Sequence, residues 1–441
     1  MIETRTLSLQ IDHEREGSYF TLPLEVPDGI ESIAIAYRYP RRPAVPHAME
    51  HGTFTERNEV NVVDIGLIDP HGQQVGATGS DKSEIMVGEV EATPGYRRWA
   101  ILPGEWQILV GAYAIAPEGV TVDYEIRLQR KQRRLLKGDI HTHTLASDGV
   151  HTAEELAWKA LRNGLDFLVI TDHNQPITRD ALPQVAGVTL IPGLEWTHYR
   201  GHAGFLGVEM PYDGCFATNS DEEAQQRFET ARARGAVITI NHPFDAPWDF
   251  RFDLGRLPYD CIEIWNGPMR ACNLQALEYW HRRLCAGERI LACGGSDYHR
   301  DTPFLFLGGP AMAVYAESAG TSDILAALRA GHSFITFSPE GPLLEMSAGD
   351  AIMGDTVCWP EVQEVRLDVR RLQAGDIVRA VTGHGSEVLF TAAARGDASV
   401  SYAMAGPGFV RADVLRVFVP GTPAVPAAVT NPIFFEGENR P

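Results

Sequence analysis

His141 and His143 stand two residues apart in Asp139-Ile-His-Thr-His-Thr, directly after an apolar segment, and metal-binding residue types recur in the same way farther along the chain. Thr171-Asp-His173, Gly193-Leu-Glu195, Ile240-Asn-His242 and Gly294-Gly-Ser-Asp297-Tyr-His299 each follow an apolar run at once. An HxH pair alone is a weak signal, because alternate positions on any strand share a face. The whole ordered set is specific: in a β/α barrel the strand ends at one face converge on a single mouth, which brings such side chains together. Imidazole and carboxylate ligands suit zinc, manganese or iron, and such ions make hydroxide from bound water near neutral pH. The chemistry expected is hydrolysis at a polynuclear metal site.

No covalent nucleophile competes with this reading. Ser296 precedes Asp297 in a Gly-rich turn, but neither a nucleophile elbow nor an ordered Ser, Asp, His series surrounds it. The chain also has no P-loop and no glycine-rich dinucleotide fingerprint after a strand.

The elements that must position these residues fall into three stretches. Over 1–134, period-two alternation dominates, as in Asn61-Val-Val-Asp-Ile-Gly-Leu-Ile-Asp and Val120-Thr-Val-Asp-Tyr-Glu-Ile-Arg-Leu, and predicts a β-sandwich-like domain. A basic connector, Arg130-Lys-Gln-Arg-Arg134, reads as a solvated linker. Over 135–338, short apolar runs alternate with helical stretches, the pattern of an α/β fold. Thr152 with Glu155 forms a capping box ahead of a helix stopped at Gly164, and Ser220 with Glu223 repeats the device before a helix ending at Gly235. The runs Phe167-Leu-Val-Ile and Ala236-Val-Ile-Thr-Ile suit strands buried on both faces. Over 339–441 alternation returns and predicts a second, smaller β-sandwich-like domain, with Thr430 to Pro441 too rich in turn formers to assign.

With 441 residues, of which 44% are apolar, the chain is long enough for several cores. Its first residues lack the order of a signal peptide and no apolar run is long enough to span a membrane, so a cytoplasmic protein is expected. The six cysteines form no CxxC pair and are expected to be reduced and structural. A formal net charge of -20 disfavours broad contact with a nucleic-acid backbone, leaving a small-molecule substrate as the expected partner. A homo-oligomer is compatible with this composition.

The motifs His-Thr-His-Thr-Leu-Ala-Ser-Asp-Gly, Ile-Thr-Asp-His, Gly-Leu-Glu-Trp, Gly-His-Ala-Gly-Phe-Leu-Gly, Asn-His-Pro and Gly-Ser-Asp-Tyr-His occur in this order over roughly residues 138 to 300. In them the chain resembles the PHP (polymerase and histidinol phosphatase) family of metal-dependent hydrolases, and is similar to its CehA/McbA-type branch. The resemblance implies a distorted seven-stranded β/α barrel with two or three divalent ions. It implies that His141, His143, Glu195 and Asp297 hold one ion, that Glu195 bridges to a second held by His202 and His242, and that Asp148, His173 and His299 hold a third. Glu195 is the carboxylate at the end of Thr189-Leu-Ile-Pro-Gly-Leu, and a bridge needs a ligand with two oxygens.

Other residues carry two readings. Asp148, beside Gly149, is a ligand or a turn aspartate bonded to nearby backbone amides. His202 competes with His198, and the flanking glycines favour His202; His198 is then a pocket wall, a support for a ligand, or plain surface. Trp265 and Asn266 reach the mouth or are a core Trp and a turn Asn. Arg200, Tyr298 and Arg300 flank ligand positions, so one of them could bind a substrate anion; surface arginine is the alternative. His13, His47, His51, His71, His151, His281, His332 and His384 are set aside as ligands.

The expected mechanism is attack by hydroxide bridging two ions, with Glu195 and Asp297 as the catalytic carboxylates and Asp297 or a water at the third ion protonating the leaving group. The expected substrate is a small phosphomonoester or phosphodiester. The CehA/McbA likeness implies instead a carboxyl ester or carbamate, and replacing Arg200 or Arg300 is the test that separates the two. An exonuclease and a metal-stabilised, non-enzymatic binding scaffold are the remaining readings.

Overall fold

The structure, a computed structural model, describes residues 1–42 and 59–437; His47 and His51 lie outside the described residues. The chain divides into two compact units, Met1–Gln132 and Arg133–Pro441.

Among the described residues, the regular elements of the first unit are strands apart from one short 3-10 turn. Two four-stranded antiparallel sheets form it, and Val120–Arg130 pairs with both Ile2–Ile11 and Ile30–Arg38 in one of them. Residues of Val120–Arg130 alternate between buried and exposed, as its apolar spacing predicts. Ile35, Tyr124 and Ile126 from one sheet and Ile65, Trp106 and Ile108 from the other share a single core.

The second unit is mixed α/β, with many strands and few helices. Its strands begin with β1 (Arg134–Asp139), β2 (Phe167–Ile170), β3 (Thr189–His198), β4 (Gly201–Leu206), β5 (Val237–Asn241), β6 (Cys261–Asn266), β7 (Leu291–Gly295), β8 (Ala311–Ala316) and β9 (Ser333–Thr336). Four helices interleave with them: α1 (Ala153–Arg162), α2 (Asp221–Ala233), α3 (Ala271–Cys285) and α4 (Thr321–Ala330). In the sheet these strands run in the order β7-β6-β5-β4-β3-β2-β1-β8-β9. β1, β2 and β3 are parallel, as are β5, β6 and β7, whereas β4 is antiparallel to both of its neighbours. The antiparallel hairpin of β3 and β4 interrupts the simple β/α alternation, and it has a consequence for the site. Glu195 pairs with Gly204 and Thr197 with His202, so a histidine only seven positions downstream returns beside the carboxylate.

The helix signals were legible. Thr152 and Glu155 form the reciprocal capping box, and Gly164 follows α1 with φ +75. At α2, Ser220 accepts from Glu223 N, but the Glu223 carboxylate takes Asn219 N at 2.6 Å, so the second box is only half formed. Both predicted two-faced strands are wholly buried: Phe167 to Ile170 lie in β2 and Val237 to Asn241 in β5.

After residue 338 the same sheet continues. β9 pairs with Val425–Thr430, which pairs with Gly408–Arg416, and Ala313 and Phe334 share a core with Val369, Val410 and Val414. The segment left unassigned from Thr430 onward contains a strand, Ile433–Gly437. All six cysteines are free thiols, and Cys215 and Cys285 are exposed rather than packed as small hydrophobes. Among the described residues no helix is long and apolar enough to cross a membrane.

Candidate metal centre

Asp139 closes β1, and its buried carboxylate ties two strand ends together. It accepts Ser296 N at 3.0 Å and the Ser296 hydroxyl beyond β7, Gly308 N at 2.8 Å, and His141 N at 3.2 Å. Burial pushes this carboxyl up to about 6 against those hydrogen bonds. The HxH segment is pinned a second time, since His143 N donates to Tyr298 O and Tyr298 N to His141 O. Gly295 is a packing requirement: a Cβ there would lie 2.4 Å from His141 Cβ.

Glu195 is the hub of the site. It is fully buried, and its Oε1 lies 3.1 Å from His141 Nε2, 3.3 Å from His202 Nδ1 and 3.4 Å from His242 Nε2. Its Oε2 lies 2.8 Å from His173 Nδ1 and 3.7 Å from His143 Nε2. Asn241 Nδ2 adds a hydrogen bond to Oε1 at 2.9 Å. Asp297 Oδ1 approaches His143 Nε2 at 3.0 Å and His141 Nε2 at 3.3 Å. On the cleft side, Asp148 Oδ1 is 3.1 Å from His299 Nε2 and 3.5 Å from His173 Nε2, so this carboxylate faces the histidines. Gly149 allows that turn, because a Cβ there would sit 2.2 Å from His143 O.

All nine proposed ligands are thereby brought together. Ligand atoms close enough to share an ion fall into the overlapping groups His143, Asp148, His173, His299; His141, His143, Glu195; His141, His242, Asp297; and His173, Glu195, His202. Two details differ from the partition the family resemblance implied. His143 joins the Asp148 group, and His202 and His242 fall in different groups although both face Glu195 Oε1.

The side chains fit metal ions. His141 Nε2, His143 Nε2, His202 Nδ1 and Glu195 Oε2 are buried without a hydrogen-bond partner, a costly arrangement unless a cation takes their lone pairs. Three rings are oriented from behind: His141 Nδ1 meets Glu263 Oε1 at 3.0 Å, His173 Nδ1 meets Thr197 Oγ1 at 2.6 Å, and His299 Nδ1 meets Asp297 O at 2.9 Å. Such contacts leave the opposite nitrogen to a metal. The electrostatics agree. Desolvation opposes charge on Glu195, yet His141, His173 and His202 hold it well below the usual carboxylate range. Asp297 is held low in the same way by His141 and His143. Burial lowers His143, whereas Asp297, Glu263 and Glu195 outweigh burial at His141 and raise it well above an ordinary histidine. The carboxylates thus draw positive charge to this point.

Backbone strain gathers here as well. His242, Asp297 and Asn174 have φ of +29, +52 and +50, in the left-handed region that non-glycine residues rarely occupy and that recurs at functional sites. Asn174 is held there by paired hydrogen bonds to the Thr197 backbone, 2.9 Å from N and 2.8 Å to O.

The centre opens into a cleft of about 630 Å³. Asn266 lines it, with its amide 3.1 Å from Glu263 and 3.4 Å from Asp297. Its neighbour Trp265 is a core residue whose indole donates to Gly267 O. The other expected substrate contacts lie outside this lining. Arg200 is held by Asp221 at 2.6 Å and lies over the Phe252 ring. Tyr298 is fully buried, its hydroxyl 3.1 Å from His151 Nε2. Arg300 is exposed and, like Arg200 and Tyr298, is absent from the cleft lining among the described residues. Neighbours in sequence point to different sides of a strand end, which adjacency could not reveal. His198 turns away from the cluster, its Nε2 3.1 Å from Thr218 O.

Two residues that the structure places at the cluster or its cleft escaped the sequence reading. Glu263 was legible as a carboxylate inside the apolar strand Cys-Ile-Glu-Ile, where a buried charge needs a partner. Arg270, which lines the cleft 3.1 Å from Asn266 and 2.9 Å from Asp245, follows a loop and had no signal of its own.

No family model matches the chain. Its curated relatives include the 5'-3' exoribonuclease Rnm of Salmonella typhimurium, 29% identical over 152 residues, or 32% of this chain and 45% of the relative. The DNA polymerase/3'-5' exonuclease PolX of Bacillus subtilis is 25% identical over 280 residues, 54% of this chain and 47% of the relative. The chain thus spans about half the length of these relatives. Among solved structures it is similar to a two-domain protein from Bacteroides vulgatus described as containing a predicted PHP-like metal-dependent phosphoesterase, with TM-score 0.40, 18% identity, and 67% of this chain and 95% of that one covered. Another is a putative metal-dependent phosphoesterase from Bifidobacterium adolescentis, with TM-score 0.28, 17% identity, and 39% and 90% covered. These relatives and neighbours are named as exonucleases and metal-dependent phosphoesterases.

Proposed function

We propose that this protein is a metal-dependent hydrolase of phosphoesters, acting on a small phosphomonoester or phosphodiester. In this reading residues 135–338 form the distorted seven-stranded PHP barrel, flanked by β-sandwich-like domains over 1–134 and 339–441. The hydrogen bonds from Ser296 to Asp139, which join the ends of β7 and β1 at the extremes of the seven-strand run, support closure into a barrel.

The observation that carries the proposal is Glu195: a fully buried carboxylate whose Oε1 faces His141 Nε2 and His202 Nδ1 and whose Oε2 faces His143 Nε2, all three nitrogens without a hydrogen-bond partner. Bound ions, two or three in number and of zinc, manganese or iron, would supply Lewis acidity and a water of lowered pKa. Glu195, His141, His143, His202, His242 and Asp297 would hold the inner part of such a cluster, and Asp148, His173 and His299 the part nearest the cleft. Asp297, with a side chain about a quarter exposed and held ionised by His141 and His143, would relay to the leaving oxygen a proton taken up from the attacking water, and a water beside Asp148, His173 and His299 is the other candidate donor. Arg270 and Asn266 would orient the phosphoryl oxygens through charged and neutral hydrogen bonds. The names of the relatives favour the phosphoester bond; the net charge of -20 favours a short substrate over a long nucleic-acid track.

Elemental analysis of the purified protein, coupled to a matched panel of phosphomonoesters, phosphodiesters, carboxyl esters and carbamates, tests this. Highest turnover on phosphoesters, lost on chelation and restored by divalent metal, is expected. Preference for carboxyl esters or carbamates overturns the substrate class, and turnover that survives chelation overturns the metal dependence.

A further inference from the structure

Trp248 and Phe304 both line the cleft over the metal centre, and neither is packed into a core: they are 56% and 77% exposed. Each is carried a few residues past a ligand, Trp248 beyond His242 and Phe304 beyond His299. Both are presented by short, self-bonded turns. Trp248 N donates to Asp245 O at 2.9 Å, while in the second turn Thr302 N donates to Leu305 O at 3.0 Å and the Thr302 hydroxyl accepts from Leu305 N at 3.0 Å. Large aromatic rings left open to water at a cavity mouth forgo the burial that normally stabilises them. Pro268 and Leu305 extend the apolar wall, whereas Arg270, Asp245 and Asn266 supply polar groups to the same cleft. One cleft therefore offers a site for an anionic ester beside the ligand cluster and aromatic faces at its rim.

We propose that Trp248 and Phe304 are the specificity-determining residues of this cleft and stack on a planar aromatic group of the substrate, so that its esters carry an aryl or nucleobase moiety. This rests on the phosphoesterase reading above for the reacting bond, but the recognition step is separable from turnover. Stacking needs a π-face and no base-specific hydrogen bond, so simple arenes and nucleobases share the chemistry.

The test uses the full-length, metal-loaded protein and two readouts. In the first, affinities for phenylphosphonate, a nucleoside 5'-phosphonate and propylphosphonate are measured by calorimetry for the wild type, Trp248→Ala, Trp248→Phe and Phe304→Ala. In the second, kcat and KM are measured on aryl, nucleoside and glycerol phosphates. Each alanine variant is expected to weaken the aromatic ligands and raise KM for the aromatic esters by about tenfold, with Trp248→Phe retaining most binding. The propyl and glycerol compounds should be unaffected. A nucleoside arm that responds more than the phenyl arm assigns a nucleobase; equal responses assign a simple arene. Equal binding of propyl and aromatic phosphonates, or alanine variants without effect on either, overturns the proposal and leaves the phosphoesterase reading standing. Selective, Trp248-dependent binding without turnover of any phosphate overturns the reaction and leaves the aromatic platform standing.

Discussion

Glu263 Oε1 lies 3.0 Å from His141 Nδ1, with both side chains buried. The other oxygen of the same carboxylate takes His242 N at 2.8 Å and Asn266 Nδ2 at 3.1 Å, so one group orients two candidate ligands and a cleft residue. Glu263→Gln must place its amide NH2 against a donor on one side or the other. The expected outcome is a 10- to 100-fold loss of metal affinity, about the range seen when a ligand's supporting partner is removed. Metal titration by calorimetry reads it, and unchanged affinity would remove Glu263 from the centre.

Glu195→Ala takes away the acceptor that faces His141, His202, His242, His173 and His143. Bound metal should fall by at least one ion per chain, and kcat/KM by more than about 100-fold, beyond the effect of a lost supporting partner. Elemental analysis beside steady-state kinetics checks both.

Chelation should destabilise the fold as well as stop turnover. Ions that bind only the folded chain stabilise it by about 2.7 kcal/mol when free metal is 100 times the dissociation constant. A melting temperature that falls on chelation and returns with added metal is expected; an identical melting curve would show that the cluster holds no ion.

Asp139→Ala leaves Ser296, Gly308 and His141 amides without their buried acceptor. Each unsatisfied buried donor costs about 1–3 kcal/mol, so a loss of at least about 3 kcal/mol is expected in urea denaturation. Asp139→Asn keeps one carbonyl acceptor and should lose less.

Arg270→Ala should lower kcat/KM on phosphoesters by about tenfold or more, because a charge-assisted hydrogen bond to the substrate is removed. Arg200→Ala should leave the same parameter unchanged, since among the described residues Arg270 lines the cleft and Arg200 does not. Equal losses in the two variants would contradict the cleft geometry.

Candidate ligands such as His141, His173, Glu195, His242 and Asp297 could be named from the sequence because each stands at or just past the end of an apolar run whose length and branching suit a strand, whereas Asp148 sits in a loop and His202 was favoured over His198 only by its flanking residues. The same local physics set the capping box of Thr152 and Glu155 and the alternation of Val120–Arg130. Other features depend on partners far away in the chain. Whether His198 or His202 meets Glu195 was decided by the antiparallel β3 and β4 pairing, which sets Glu195 opposite Gly204 and returns His202 to the carboxylate. Arg200 and Arg300 flank ligands in sequence, yet the cleft arginine is Arg270, supplied by a loop after β6. By itself, then, the chain's order of residues determined which side chains could bind cations and which segments would carry them. Only the tertiary structure decided which atoms share a cation-sized space, because strand register and side-chain direction arise from long-range pairing that no local spacing encodes.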